Sequence, residues 1–363
     1  MTALIAGGGV AGAAVACLLG PDALLVEREA AAHDKICGEF ISAEAQGYLA
    51  RLGLDVAALG GAPIHSVRLV HGGRMAAAPL PFRGYGLSRR VLDAALLDLA
   101  ARRGAQVVRG HAVRGVLPAG LDVAGQGKLD GDAVFLATGK HDLRGVRRSP
   151  AAPPEDLVGL KMYFRLAPEQ VAELDGHVEL LLLRGGYAGL QLIEGGTANL
   201  CLLVRRERFA AAGGSWPGLQ DALERESQHL RRRLAGAGAL LDRPLSIFRV
   251  PYGYVHRAAV EDRPGLFRLG DQAAVIPSFT GDGVSIAMHT AFAAVDAMRG
   301  GGAAAYHRAM RRHLSGQVAR AGLLLRAGRA APGLAVGAAR VWPGALRWVA
   351  SMTRVPAAAL IEA

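Results

Sequence analysis

Gly7, Gly9 and Gly12 follow the apolar run Leu4-Ile5-Ala6 and precede a second apolar run, Ala13 to Leu19. The pattern reads as a strand, a tight turn and a helix. In the Gly-x-Gly-x-x-Gly spacing the first glycine makes the turn and the second lets backbone approach a pyrophosphate. The third lets helix pack closely on strand. Val10 and Ala11 open the helix, whose free N–H groups and dipole favour a phosphate. Leu24-Leu25-Val26 is a second strand that ends at Glu27 and Arg28. An acidic residue about 20 positions past the glycines is placed to accept hydrogen bonds from an adenosine ribose. The chemistry implied is dinucleotide binding.

Other reactive groups are less committed. Tyr163, Tyr187, Tyr252, Tyr254 and His256 are candidates to orient or deprotonate a phenolic substrate; tyrosines at strand ends also serve as packing residues with a wet hydroxyl. The three cysteines, Cys17, Cys37 and Cys201, are too far apart for a Cys-x-x-Cys motif. Cys17 and Cys201 lie in apolar runs and read as small core residues. No metal site and no catalytic base are assigned.

The elements that must position these groups follow from periodicity and punctuation. Strands are expected at 3–7 and 23–27 around a helix at 11–19, and a helix over 43–52. A strand pair is expected at 64–70 and 74–80 around His71-Gly72-Gly73. Val91, Leu92, Ala95, Leu96 and Leu99 recur at helical spacing, with Ser88 as cap. Strands follow at 106–109, 112–117 and 132–137. The proline-rich stretch 149–154 marks a boundary. Beyond it come consecutive strands at 158–166, 177–183, 189–193 and 198–204, a helix over 216–234, and strands at 245–250 and 266–269. Residues 303–363 read as helical, broken at Pro332, Pro343 and Pro356.

The expected fold is α/β: a Rossmann-type dinucleotide-binding domain, a second, mostly antiparallel β-sheet substrate domain, and a C-terminal helical segment. Residues 1–63, 81–150 and 256–300 are assigned to the first, 64–80 and 151–255 to the second, and 301–363 to the third.

The chain has 363 residues, enough for about two domains. With 51% hydrophobic and 20% charged residues it reads as a soluble globular protein with a sizeable core. The uncharged stretch Met1 to Pro21 has no basic n-region and is needed for the glycine turn, so it is read neither as a signal peptide nor as a membrane span. A net charge of +11 arises from 42 basic and 31 acidic residues. The arginines are scattered and no aromatics interleave with them, which argues against nucleic acid and for attraction of anionic small molecules. A cytoplasmic setting is expected, with no obligatory protein partner. The apolar residues of 321–363, set among arginines, close the substrate domain as a helical bundle; the second reading is a greasy substrate channel or weak membrane-surface contact.

Three separated pieces carry a resemblance. They are the glycine turn with Glu27; Gly86-Leu87-Ser88-Arg89 with Leu92, Asp93 and Leu96; and Gly270-Asp271 running through Pro277 to Gly281-Asp282-Gly283. The triple resembles flavoproteins of the para-hydroxybenzoate-hydroxylase-like class, which includes monooxygenases, geranylgeranyl reductases and flavin-dependent halogenases, over roughly residues 1–300. The resemblance implies that Glu27 binds the FAD adenosine ribose, with Arg28 beside it. It implies that Arg89 contacts the diphosphate or flavin region, and that Asp271 binds ribityl or phosphate groups. Pro277 would lie beside the isoalloxazine, with Gly281 and Gly283 at a helix N-terminus that favours the anionic reduced flavin. Lys35-Ile36-Cys37-Gly38-Glu39 resembles the loop beside FAD and the substrate entrance in reductase-like and secondary-metabolism members. Cys37 there is either a buried inert thiol or one placed next to flavin.

Around Gly139, Ala137-Thr138-Gly139-Lys140 stands where many hydroxylases carry Asp-Gly, so direct use of NAD(P)H is less clearly marked. A Trp-x-Trp-x-Ile-Pro run, the halogenase signature, is absent. The implied activity is an oxidoreductase with NAD(P)H as donor, a monooxygenase hydroxylating an aromatic or polyketide-like hydrophobic metabolite through a flavin hydroperoxide. A reductase of isoprenoid double bonds is the alternative, and halogenation ranks third.

Overall fold

The computed structural model describes residues 2–149, 155–258, 263–356 and 359–360. Most of the boundary stretch expected at 149–154 lies outside them, as do 259–262, 357–358 and 361–363 of the expected first and third units. Five strands pair in parallel, and the inner three are apolar or nearly so. Ala3–Ala6 lies between Ala23–Glu27 and Ala133–Leu136; Gln106–Arg109 and Leu266–Arg268 form the two edges. A parallel sheet covered on both faces needs continuous apolar strands, and Ala-Leu-Ile-Ala and Ala-Val-Phe-Leu are buried at every position. The Val10–Leu19 helix is buried on all sides but Leu18, because it is clamped between the sheet and the helices Arg89–Arg102 and Gly283–Gly300.

The second sheet has nine strands and is antiparallel except for one pairing, of Ala62–His71 with Gly176–Leu183. The strand pair expected at 64–80 is longer, running Ala62–His71 and Arg74–Gly86, and Phe40–Ile41 joins its edge. Alternating apolar residues of Leu157–Arg165, Gly186–Leu192 and Ala198–Arg205 build a core with Leu219, Leu223 and Leu230. The helix expected over 216–234 is two, Trp216–Glu226 and Gln228–Arg233, because the Ser227 hydroxyl accepts from the Leu230 amide and starts a new one. A small antiparallel sheet, Val113–Leu117, Gly120–Val123 and Gly127–Asp130, covers one face of the parallel sheet. Its last two strands escape the sequence pattern. Each is only four residues long and opens on glycine; Leu121 and Val123 are buried against the parallel sheet, while Gly127–Asp130 is largely exposed.

The C-terminal segment forms Gly302–Ala330, Pro332–Val341 and Gly344–Met352, broken at the expected prolines. The last two pack on the Arg74–Gly86 strand. Among the described residues no helix is long and apolar enough to cross a membrane.

Candidate cofactor and substrate site

The glycine turn behaves as its spacing requires. Gly7 has φ of 104°, a conformation that favours glycine, and a Cβ there would meet the Ala137 carbonyl oxygen at 2.6 Å. A Cβ on Gly12 would lie 2.0 Å from the Gly7 carbonyl oxygen, so helix and strand touch through backbone alone. Gly9 is different. Its backbone is extended, at φ −75° and ψ −177°, and a Cβ there would meet only the Arg89 guanidinium, at 3.3 Å, and the Lys35 ammonium, at 3.8 Å. The space over Gly9 is therefore a cradle facing two cations. No side chain caps the Val10–Leu19 helix, whose first amides face this cradle.

Glu27 is buried at the end of its strand, with Oε2 accepting from the Gly8 amide at 2.6 Å and Oε1 from Glu29 at 3.0 Å. Its carboxylate thus sits on the glycine turn itself. Arg28 points away, half exposed and paired with Glu29. Arg89 opens its helix above Gly9. Asp93, one turn on, accepts from Arg89 Nε at 2.9 Å and from Lys35 at 2.8 Å. Two cations on one acid leave net positive charge, and they hold the Asp93 carboxyl below its usual range despite burial.

Asp271 comes from the turn after the Leu266–Arg268 strand. Gly270 abuts Ala11, bringing this turn to the same helix N-terminus. Asp271 Oδ2 pairs with Lys140 at 3.2 Å, both side chains a quarter exposed, and Asp271 raises the Lys140 ammonium above its ordinary range. Gly139, at φ 60°, turns the chain so that its carbonyl accepts from Gln272 at 2.8 Å. Pro277 precedes a turn that ends at Gly281 (φ 69°), where a Cβ would strike the Phe40 ring at 2.7 Å. Gly283 then starts the Gly283–Gly300 helix with no side-chain cap and open space over its Cα.

A cavity of about 180 Å³ joins this turn to the second sheet. Cys37, Gly38, Lys140, Asp271, Gly281 and Gly283 line it. Gly7, Gly9, Glu27 and Arg89 lie outside its lining, at the turn where the adenosine half would be held; Pro277 is not in the lining either, although its chain neighbours Ile276 and Ser278 are. The rest of the wall is mostly apolar, including Val67, Leu180, Ile247, Phe279, Leu346 and Val349, with Glu39, Gln191 and Arg354 among its polar members. Of the five aromatic candidates, Tyr187 and Tyr252 line the cavity; Tyr163, Tyr254 and His256 do not. Tyr252 bonds Ser278 at 2.9 Å, whereas the buried Tyr187 hydroxyl has no partner in hydrogen-bonding geometry among the described residues. Burial pushes both phenols above their ordinary range.

Sequence reasoning missed the polar knot behind the cavity. Glu39 takes φ of 60°, a left-handed conformation that few non-glycine residues adopt. Its carboxylate is held by Lys161 Nζ at 2.6 Å, the Tyr163 hydroxyl at 2.8 Å and the Arg89 amide at 2.8 Å. Lys161 also donates to Tyr163 at 2.7 Å and to the Lys35 carbonyl at 2.9 Å. Burial raises the Glu39 carboxyl, with Lys161 opposing it. The signal was present: Lys161 stands alone in the apolar run Leu157-Val158-Gly159-Leu160-Lys161-Met162-Tyr163-Phe164, and a charge there demands a partner. Gln191 and Asn199, from neighbouring strands, donate to the carbonyls of Glu39, Cys37 and Gly38. The 37–39 loop is therefore fixed by the second sheet. Cys37 Sγ accepts from the Glu39 amide at 3.3 Å, and Lys35 is bound to Asp93 rather than to the thiol. Burial pushes Cys17 up to about 11, in keeping with an inert core thiol, and Cys201 up to about 12; Cys201 is only partly buried and lines the cavity, so the core placement expected for it does not hold.

The arrangement fits a flavin dinucleotide. It offers a glycine cradle beneath two cations, an acid on the turn, and an uncapped helix facing a cavity between two sheets.

No protein-family model and no curated protein matches this chain. Solved structures do. The flavin-dependent brominase Bmp2 superposes with a TM-score of 0.80 at 18% identity, over 99% of this chain and 95% of that one. PqsL from Pseudomonas aeruginosa, described as a probable FAD-dependent monooxygenase, gives 0.71 at 20% identity over 91% and 96%. A geranylgeranyl bacteriochlorophyll reductase-like protein from Thermoplasma acidophilum gives 0.69 at 17% identity over 99% and 94%. The chain has the fold shared by these flavin-dependent oxidoreductases.

Proposed function

We propose that the chain is an FAD-dependent oxidoreductase, a monooxygenase hydroxylating an aromatic or polyketide-like apolar metabolite, with NAD(P)H as electron donor. The observation that carries this reading is the cavity itself. Its wall is mostly apolar, it runs from the uncapped Gly283 helix to the second sheet, and Tyr187, whose hydroxyl makes no well-aligned hydrogen bond among the described residues, belongs to its lining. Bound FAD supplies the redox chemistry and the activation of oxygen. The chain supplies position and environment. The turn around Gly9, with Arg89 and Lys35 over it, holds the diphosphate; Asp271 holds ribityl or phosphate oxygens; Glu27 serves the adenosine ribose. The apolar wall excludes water from the reacting centre. Tyr187 and Tyr252 hydroxyls orient a phenol or carbonyl of the substrate.

Reduction of isoprenoid double bonds is the second reading, favoured by Cys37 in the cavity lining. Halogenation through a free lysine has less support, since Lys35, Lys140 and Lys161 are each paired with a carboxylate.

The deciding experiment loads the protein with FAD and supplies NADH or NADPH with apolar phenols and polyketide-like compounds. Substrate-dependent oxygen consumption with one oxygen atom gained by the product supports hydroxylation. Anaerobic saturation of an isoprenoid by the reduced protein, with no oxygen uptake, supports the reductase instead. Reduction by NAD(P)H is expected to be slow until substrate is present, because among the described residues there is no second glycine-turn sheet to hold a nicotinamide nucleotide.

A further inference from the structure

Among the described residues eight large apolar side chains are exposed, and five of them, Leu323, Leu334, Val341, Trp342 and Trp348, lie within 323–348. Val341 is 89% exposed, Trp342 62% and Trp348 54%. The same segment is charged with one sign. Residues 301–361 contain nine arginines and no aspartate or glutamate. Arg326, Arg340 and Arg347 are exposed beside the apolar residues.

The helix pair Pro332–Val341 and Gly344–Met352 is two-faced. Val336 and Ala339 are buried on the second sheet against Leu69 and Ala76. Leu346, Val349, Ala350 and Thr353 line the cavity. At 100° per residue these four share one face of the last helix, and Trp348 projects from the opposite one. Arg354 then ties the helix end to the site, bonding the Thr280 carbonyl and Asp282 Oδ1 and lying over the Phe82 ring at 5.0 Å. One short helix is thus both a wall of the cavity and the carrier of an exposed tryptophan.

We infer that the 332–352 helix pair docks the protein on an anionic bilayer surface, with the cavity wall lying against the lipid. Tryptophan and valine enter the headgroup–acyl boundary, and arginines meet the anionic headgroups. The single sign of charge selects this occupant. A protein partner would have to match Arg326, Arg340 and Arg347 where they stand, whereas an anionic bilayer does so everywhere. The helices are too short and too mixed to span, so the contact is interfacial. The inference goes beyond the reaction proposed above and does not depend on it.

The test mixes the full chain with vesicles of phosphatidylcholine alone or with phosphatidylglycerol, and follows co-sedimentation and tryptophan emission. The chain has three tryptophans, so emission reads Trp342 and Trp348 against Trp216 alone. Binding to phosphatidylglycerol vesicles with a blue shift is expected. W342S/W348S should bind about tenfold more weakly and lose the shift, with an unchanged thermal midpoint. R340E/R347E should lose the preference for phosphatidylglycerol. Full binding by W342S/W348S, or binding without a blue shift, would mean adsorption of a basic protein only and overturns the inference. Lipid-free self-association abolished in W342S/W348S would assign the patch to a second copy and overturns it equally, as does failure to bind anionic vesicles.

Discussion

Lys161 Nζ lies 2.6 Å from Glu39 Oε1, and neither side chain has any solvent exposure. The pair joins the middle of a core strand of the second sheet to the loop that lines the cavity. Removing one partner leaves a buried charge uncompensated, a loss of about 3–5 kcal/mol. Lys161→Met and Glu39→Gln are each expected to destabilise by that order in chemical denaturation. The double variant should recover part of the loss. Additive losses in the double variant would show that the two groups do not interact.

Gly9 and Gly12 should separate binding from folding. Gly12→Ala places a methyl against the Gly7 carbonyl oxygen and is expected to disrupt the turn, giving poorly folded protein. Gly9→Val meets only the movable ends of Arg89 and Lys35. It should keep stability to within about 1 kcal/mol yet lose FAD, because its side chain fills the space of the pyrophosphate. Flavin absorbance after gel filtration reads the second effect; full occupancy in Gly9→Val would refute the placement of the diphosphate.

Asp271 and Lys140 make a second contrast. Asp271→Ala removes the carboxylate offered to ribityl or phosphate groups and should speed FAD loss on dialysis. Lys140→Met leaves that carboxylate in place and should retain FAD better than Asp271→Ala. Equal retention by the two variants would mean that the pair acts only as a structural ion pair.

Burial raises the Asp282 carboxyl to about 7, with Arg354 beside it opposing the shift. The folded protein therefore holds a proton that the unfolded chain releases near pH 4. Between those values the native state binds more protons, so this group's contribution to stability falls as pH rises and levels off above about 7. Asp282→Asn cannot titrate. Its thermal midpoint relative to the unaltered protein should climb from pH 4 to pH 7. A flat difference across that range would place Asp282 as an ordinary ionised carboxylate.

The Tyr187 hydroxyl is buried beside Ser278 and the Phe279 backbone but makes no well-aligned hydrogen bond among the described residues. Tyr187→Phe should leave stability unchanged or raise it slightly, since an unpaired buried hydroxyl carries a desolvation cost. Under the proposed activity its KM for phenolic substrates should rise. Loss of stability in Tyr187→Phe would mean that the hydroxyl has a structural partner.

How much of this was legible depended on distance along the chain. The turn at Gly7 to Gly12 and the Ser88 cap, whose hydroxyl accepts from the Val91 amide, are local devices, readable within a few residues. Glu27 is 19 positions from its amide partner Gly8, within the span of one strand–helix–strand unit. Glu39 and Lys161 are 122 positions apart, and only the closed sheet brings them together. Arg28 shows how little adjacency in sequence says about direction. It sits beside Glu27 in sequence, and the alternation of the strand end turns it outward to Glu29. Tyr254 and His256 likewise bond to each other, at 3.1 Å, outside the cavity lining.

The parallel sheet takes its edge strand from Leu266–Arg268, and the turn after that strand abuts the helix that begins at Val10. The nucleotide cradle is therefore assembled from opposite regions of the polypeptide, with the whole second sheet threaded between them. During synthesis, the glycine turn emerges long before the segment that completes its surroundings. Under the proposed function, capture of the dinucleotide waits until more than two hundred further residues have been made. Bound FAD would then clamp two distant parts of the chain together after both have been made, rather than template the early folding of one.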